Sequence, residues 1–226
     1  MMQPNYTLKE MMTIAAARKI KNHDIVFCGT GISLLAAMAA KHIHAPESVI
    51  FFETGAIDSG LEEIPLAVAD PRVMLGTAVN GSLSDAFGFM QNPTIGSHVV
   101  GIIGAAQIDP YGNLNSTAIG DYHHPKIRFP GSGGACDVTT FVSRTLIFMQ
   151  HDKRKFVPKV DYLTSPGWLN GPQGRKQAGL NDNGPATVIT NMAVMGFEAE
   201  SKKMYLEGYY KGVSPEKVLD YMGFEV

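Results

Sequence analysis

Glu53 is the residue best placed to do chemistry. It follows the apolar run Val49-Ile50-Phe51-Phe52, so its backbone falls at the carboxyl end of a predicted buried strand. Open α/β sheets bind their ligands at that end. A carboxylate there is partly stripped of water and held in place, and ionised carboxylates serve as covalent nucleophiles. An acid that simply turns back to solvent, or pairs with an arginine, would occupy the same position.

The run Pro130-Gly131-Ser132-Gly133-Gly134-Ala135-Cys136 is the second candidate. Its glycines let backbone N–H groups approach a ligand without a Cβ in the way. It leads into Val138–Ser143, a predicted helix, and exposed amides at such a point hold phosphate or a developing oxyanion. An ordinary tight turn has the same composition. Gln107, at the end of a long apolar run, can aim its amide into a cleft. Asn113, Asn115, Ser116 and Thr117 form a polar patch suited either to a ligand's amides and hydroxyls or to turn hydrogen bonding. Cys28 precedes Gly29-Thr30-Gly31, where a thiol is either activated or buried and inert. His123-His124 are chain neighbours without Cys28 or Cys136 in ligand spacing, so no metal is expected. Gly29-Thr30-Gly31 lacks the third glycine of a dinucleotide fingerprint, and no P-loop Gly-Lys-Ser/Thr occurs.

Alternating strands and helices are needed to position these groups. Leu8, Met11, Met12, Ile14, Ala15 and Ile20 recur at helical spacing from Thr7 to about Asn22, and Thr7 with Glu10 forms a capping box. The strand Asp24–Cys28, a glycine turn and a helix from Ile32 to about His44 follow. Ser48–Phe52 is a second buried strand and Arg72–Leu75 a weaker third. Ser82 or Ser84 caps a helix through Met90, and Val99–Ile108 reads as a central strand covered on both faces. From Asp109 to Cys136 a long Gly-, Pro- and Asn-rich loop intervenes, which marks a functional segment. Further strands are predicted at Thr145–Met149, Val160–Leu163, Thr187–Thr190 and Lys203–Tyr209. Ser214-Pro215-Glu216 opens a last helix. The order predicts an α/β fold, a mostly parallel, doubly wound sheet flanked by helices, in a single domain spanning 1–226.

Composition narrows the function classes. The chain has 45% hydrophobic and 18% charged residues, enough for a sizeable core and too little charge for disorder. Lys plus Arg number 19 against 21 Asp plus Glu, so neither nucleic acid nor a membrane surface is an expected partner. No apolar run spans a bilayer. Lys9, Glu10, Arg18 and Lys19 break up any secretion signal, so a cytoplasmic setting is expected.

The ordered set Gly104-Ala105-Ala106-Gln107-Ile108-Asp109-Pro110-Tyr111-Gly112-Asn113, Asn115-Ser116-Thr117, Gly120-Asp121-Tyr122-His123-His124-Pro125-Lys126 and Gly131-Ser132-Gly133-Gly134-Ala135 resembles the β subunits of glutaconate-type enzymes in family I of the CoA transferases. Met149-Gln150-His151 and Thr164-Ser165-Pro166-Gly167-Trp168 continue the likeness, which covers about Thr7 to Phe224. The resemblance implies the CoA-transferase (NagB–RpiA-like) fold, coenzyme A as part of the substrate, no metal, and an α subunit as partner in a heterodimer or larger (αβ)n assembly. It implies Glu53 as the nucleophile that passes through a glutamyl-CoA thioester, with a dicarboxylate such as glutaconate as the acid. It also implies Gly133, Gly134, Ala135 and Gln107 as oxyanion- or CoA-binding groups. Phe52-Glu53-Thr54-Gly55 departs from the Ser-Glu-Asn-Gly of the 3-oxoacid branch. Relatives on this scaffold also include CoA-thioester hydrolases and decarboxylases, and the fold serves non-catalytic binding subunits. Lys126, Arg128, Lys153 and Arg154 are the cations available for a CoA phosphate, and each also reads as a solvated surface charge.

Overall fold

The computed structural model describes residues 6–226, which form two compact units divided between Ile103 and Gly104. The α/β class and the parallel sheet flanked by helices are as the alternation of elements predicts.

In the first unit, α1 (Leu8–Ala17) begins at Thr7, whose hydroxyl accepts from Glu10 N while Glu10 reaches back to the cap. It ends several residues before the predicted Asn22, and its buried face is Thr13, Ala16 and Ala17. Leu8 and Ile14, predicted to point inward, are exposed. The small side chains instead let α1 approach α2 (Ile32–Ile43), which buries Leu34, Ala36, Ala37 and Ala40. Strands β1 (Ile25–Cys28), β2 (Val49–Phe51) and β5 (Val99–Gly104) are parallel, with β1 in the middle. The short strands β3 (Ala56–Ile57) and β4 (Val79–Asn80) extend the β2 side antiparallel. The predicted strand Arg72–Leu75 is instead a 3₁₀ helix over Pro71–Met74. Asp70 caps it through Arg72 N at 3.0 Å and Pro71 sits at its first position, start signals that outweigh a short apolar pattern. Ser82 caps α3 (Leu83–Gln91) with Asp85 completing the box, and α4 (Pro93–Gly96) leads into β5.

The predicted strand Val99–Ile108 is broken. It stops at Gly104, and Ala105-Ala106 turn the chain so that β6 (Gln107–Ile108) pairs antiparallel with β7 (Leu114–Asn115) in a separate ribbon. A further hairpin joins β8 (Ala118–Ile119) and β9 (Ile127–Arg128). The second unit's sheet runs β10 (Arg144–Met149), β11 (Gly184–Thr190), β12 (Ala193–Phe197), β13 (Met204–Tyr209), parallel in its first pair and antiparallel after it. Helix α5 (Ala135–Phe141) precedes β10, α6 (Gly174–Gln177) precedes β11, and α7 (Pro215–Asp220), capped by Ser214, closes the chain. Val160–Leu163 forms no strand. Its backbone bonds to side chains, with Asp161 N donating to Gln107 Oε1, and Leu163 is exposed. Among the described residues no helix is long and apolar enough to cross a membrane.

Candidate functional site

The first unit places Glu53 two residues beyond the end of β2. Phe51 and Phe52, both 0% exposed, fix the approach, and Phe51 meets Phe27 and Phe89 edge-on at 5.3 and 5.4 Å. Phe52 N then bonds Ala56 O, and Gly55 N bonds Phe52 O, both at 3.0 Å, so Glu53 and Thr54 are the central residues of a tight turn. Neither has a positive φ; the left-handed position falls on Gly55, at +96°. A Cβ on Gly55 would stand 2.3 Å from Gly81 O, and Gly81 N donates to Gly55 O at 2.8 Å, so the turn is pinned from outside as well. The hairpin is further held by Asp58 N to Ile50 O and by Lys41, whose ammonium bonds Ser48 O at 2.6 Å and Asp58 at 2.8 Å.

On this rigid turn Glu53 is half-buried, and among the described residues its carboxylate makes neither a hydrogen bond nor an ion pair. The arginine pairing that its position also allowed is absent among them. The next residue shares this condition: Thr54 Oγ1 is buried without a partner. Cys28, at the end of β1, is fully buried, and burial pushes its thiol up to about 12, the state of an inert core cysteine.

In the second unit, Gly131 N bonds Ser116 O at 3.0 Å, and Ser116 Oγ bonds Gly131 O at 2.8 Å. Ser132 receives Ala135 N on its carbonyl and Cys136 N on its hydroxyl. The Ala135 N–H is therefore spent inside the loop, while those of Gly133 and Gly134 donate to nothing among the described residues. Gly131 and Gly133 have φ of +101° and +49°, and Cβ atoms there would meet nothing within 4 Å, so their glycines answer to backbone conformation.

Gln107 is 4% exposed, and its Oε1 accepts from Asn115 Nδ2 at 2.6 Å and Asp161 N at 3.0 Å. Those two bonds set the amide's orientation and leave Nε2, which no hydrogen bond among the described residues uses, as a donor. The polar patch beside it is scaffold. Asn115 spends both donors on Gln107 and Ala118 O and accepts from Thr117 N and Ala118 N. Asn113 donates to Asp109 and Leu169 O and accepts from Gly167 N and Leu169 N, again using its full capacity. The two asparagines have nothing left for a ligand, so they belong to the turn-bonding alternative.

Arg175 carries no signal in the sequence, where it reads as a surface charge. It is 1% exposed, and its guanidinium binds the carbonyls of Thr139, Thr140, Gly167 and Asn181 and Asn181 Oδ1 at 2.9–3.2 Å. Burial lowers its pKa to about 10, with the Asp182 charge opposing. Arg175 thus ties down the last carbonyls of α5, the helix that the glycine loop opens.

The remaining candidates are at the surface. His123 and His124 are exposed, with both backbone N–H groups on Asp121 Oδ1 at 2.9 Å. No group of three or more His, Cys, Asp or Glu among the described residues is placed to hold a metal. Arg154 pairs with Asp152 at 2.6 Å, and Arg128 lies 4.7 Å over the Tyr122 ring.

Residues 9–220 match the family model described as coenzyme A transferase. The chain is 46% identical to the B subunit of glutaconate CoA-transferase of Acidaminococcus fermentans, over 98% of this chain and 84% of that one. It is 36% identical to the B subunit of 3-oxoadipate CoA-transferase of Pseudomonas knackmussii, with the same shares covered. Among solved structures, that of glutaconate coenzyme A-transferase from A. fermentans superposes with a TM-score of 0.95, at 46% identity, covering 98% of this chain and 86% of that chain.

Proposed function

The chain belongs to the coenzyme A transferase family, as a β subunit, and we propose that Glu53 is its nucleophile and a dicarboxylic acid such as glutaconate its acceptor or donor. What supports the assignment of Glu53 is its carboxylate: half-buried at the carboxyl end of a parallel strand, on a pinned turn, and unpaired among the described residues. A carboxylate committed to a salt bridge is a poor nucleophile; this one is committed to nothing.

A Glu53 oxygen attacks the acyl-CoA carbonyl carbon, and the C–S bond breaks to leave a mixed anhydride and CoA thiolate. The thiolate then attacks the glutamyl carbonyl, the anhydride C–O bond breaks, and the first acid leaves as its carboxylate. The glutamyl-CoA thioester remains. A second carboxylate runs the steps backward and departs as its own CoA ester. Both intermediates hydrolyse, so water must be kept out while they exist.

Each addition puts negative charge on a carbonyl oxygen, and losing one donor to such an oxygen typically costs about 3 kcal/mol of barrier. The second unit offers the unspent N–H groups of Gly133 and Gly134 and Gln107 Nε2, and we assign oxyanion and CoA binding to these. Ala135 contributes by closing the loop through its bond to Ser132. We take 1–226 as one functional domain, in the cytoplasm and without a metal. It works with an α subunit, because the relatives it matches are themselves named as one of two kinds of subunit.

The test is intact-mass spectrometry of the chain co-expressed with its partner subunit, mixed with glutaconyl-CoA and trapped with borohydride. The expected result is a modification mapping to Glu53. Free CoA released without any acceptor acid, with no modification, would replace transfer by hydrolysis or decarboxylation.

A further inference from the structure

Thr54 stands apart from the other buried polar groups. Its Oγ1 and the Tyr210 hydroxyl are the buried side-chain polar atoms left without a partner among the described residues. Other buried hydroxyls are paired: Thr13 with Lys9 O, Ser48 with Ala45 O, Thr117 with Thr164, Thr190 with Ala193 O. A buried hydroxyl without a partner destabilises the fold that contains it, so it is retained either by accident or because its partner arrives later. Thr54 adjoins Glu53 in the turn that Gly55 and Gly81 pin, so the hydroxyl is held beside the group that, on the reading above, is acylated.

We propose that Thr54 is a catalytic donor whose partner is the glutamyl carbonyl oxygen, an acceptor that exists only after Glu53 has been acylated. The proposal rests on Glu53 being the nucleophile. In the resting chain the hydroxyl has no hydrogen bond to forfeit, so turning about χ1 from one staggered position to another costs it no partner. When the CoA thiolate adds to the glutamyl carbon, the C–S bond forms and the carbonyl π pair moves onto oxygen. The Thr54 hydroxyl donates to that oxygen. On collapse the π bond re-forms, the leaving carboxylate takes the C–O pair, and no proton is transferred. A bond made in this state and absent at rest raises kcat without tightening substrate binding.

The test uses the complex of this chain with its partner subunit, glutaconyl-CoA as donor and acetate as acceptor, and the variants Thr54→Val, Thr54→Ser and Glu53→Gln. Thr54→Val keeps the shape and removes an unpaired hydroxyl. Its Tm is expected to equal or exceed that of the parent, while kcat falls about 100-fold or more and KM for the acyl-CoA stays within about threefold. Thr54→Ser restores kcat to within about tenfold of the parent. A Thr54→Val enzyme with parental kcat, beside an inactive Glu53→Gln, would overturn this proposal and leave Glu53 as nucleophile. A fully active Glu53→Gln would overturn both. A lowered Tm in Thr54→Val with no rescue by serine would make the residue structural and end the proposal.

Discussion

Two tight turns in this chain each carry a carboxylate next to a short strand, and they end in opposite states. Asp109, after β6, is 6% exposed and accepts from Tyr111 N, Asn113 N and Asn113 Nδ2. Its partner Asn113 is saturated in turn by the 167–169 segment. Glu53, after β2, is half-buried and accepts from nothing among the described residues, and the hydroxyl beside it is unpaired. The difference separates polar groups that hold a fold from those reserved for a ligand. A saturated network contributes stability and has no capacity to react; an unsaturated one gives up stability for capacity. The contrast also makes clear why residue type alone was ambiguous, since Asp109 and Glu53 both read as strand-end acids.

The comparison breaks most sharply at Glu53. Glu53→Gln is expected to lower transfer by about 10⁴-fold or more, the scale of losing a covalent nucleophile, while its unfolding midpoint in urea stays at the parental value, because no hydrogen bond or ion pair is lost. A parallel loss of stability would mean that Glu53 is held after all. Asn113→Ala reverses the pattern. It strands the Asp109 carboxylate and the N–H groups of Gly167 and Leu169, at an expected cost of about 3–4 kcal/mol in urea unfolding. Activity per folded molecule should survive; an Asn113→Ala enzyme that folds normally but cannot turn over would place Asn113 in the reaction. Arg175→Lys probes the scaffold of the glycine loop. An ammonium cannot span the carbonyls of Thr139, Gly167 and Asn181 as the planar fork does, and about 2 kcal/mol of stability should go. An unchanged urea midpoint would remove Arg175 from that role.

How much of this was legible beforehand follows local chemistry. Thr7 with Glu10, Ser82 with Asp85 and Ser214-Pro215 are start signals made of near neighbours in the chain, and each begins the helix it announces. The strand before Glu53 is a dense run of branched and aromatic residues, so the placement of Glu53 could be read directly. What escaped depends on partners distant in sequence. Val99–Ile108 is apolar throughout, and its break after Gly104 is enforced by the Gln107–Asn115 pairing that defines the ribbon. Val160–Leu163 has strand composition but gives its backbone to side chains from elsewhere. The strand β12 contains Ala193 and Gly196, residues of low strand propensity, and is imposed by pairing on both sides. Arg175 is buried by carbonyls 6 to 36 residues away. No pattern marks such a residue.

The smallest effect expected tests whether the saturated part of the molecule responds to pH where the Glu53 turn does not. His151 is 3% exposed, stacks on Phe156 at 4.8 Å, and has its ring nitrogens 3.1 Å from Thr190 Oγ1 and 3.0 Å from Val218 O. A carbonyl only accepts, so Nε2 carries the proton. Burial lowers the pKa of this ring from its ordinary 6.5, with the Val218 carbonyl opposing. The unfolded chain therefore takes up a proton that the folded chain resists. Stability is at its full value above pH 6.5 and falls as the pH drops below it, by at most about 1.4 kcal/mol per pH unit. Asp109 acts with the other sign: burial raises its pKa from 3.8 against its hydrogen bonds, so acidification relieves a buried charge, and only at the lower pH where a carboxyl titrates. Urea midpoints from pH 8 to pH 5 should thus decline for the parent and stay flatter for His151→Gln, which keeps a donor for Val218 O but has no ring to protonate. Equal slopes for the two proteins would show that the buried histidine is not what acid attacks, and the contrast between saturated and unsaturated regions would then lose its pH dimension.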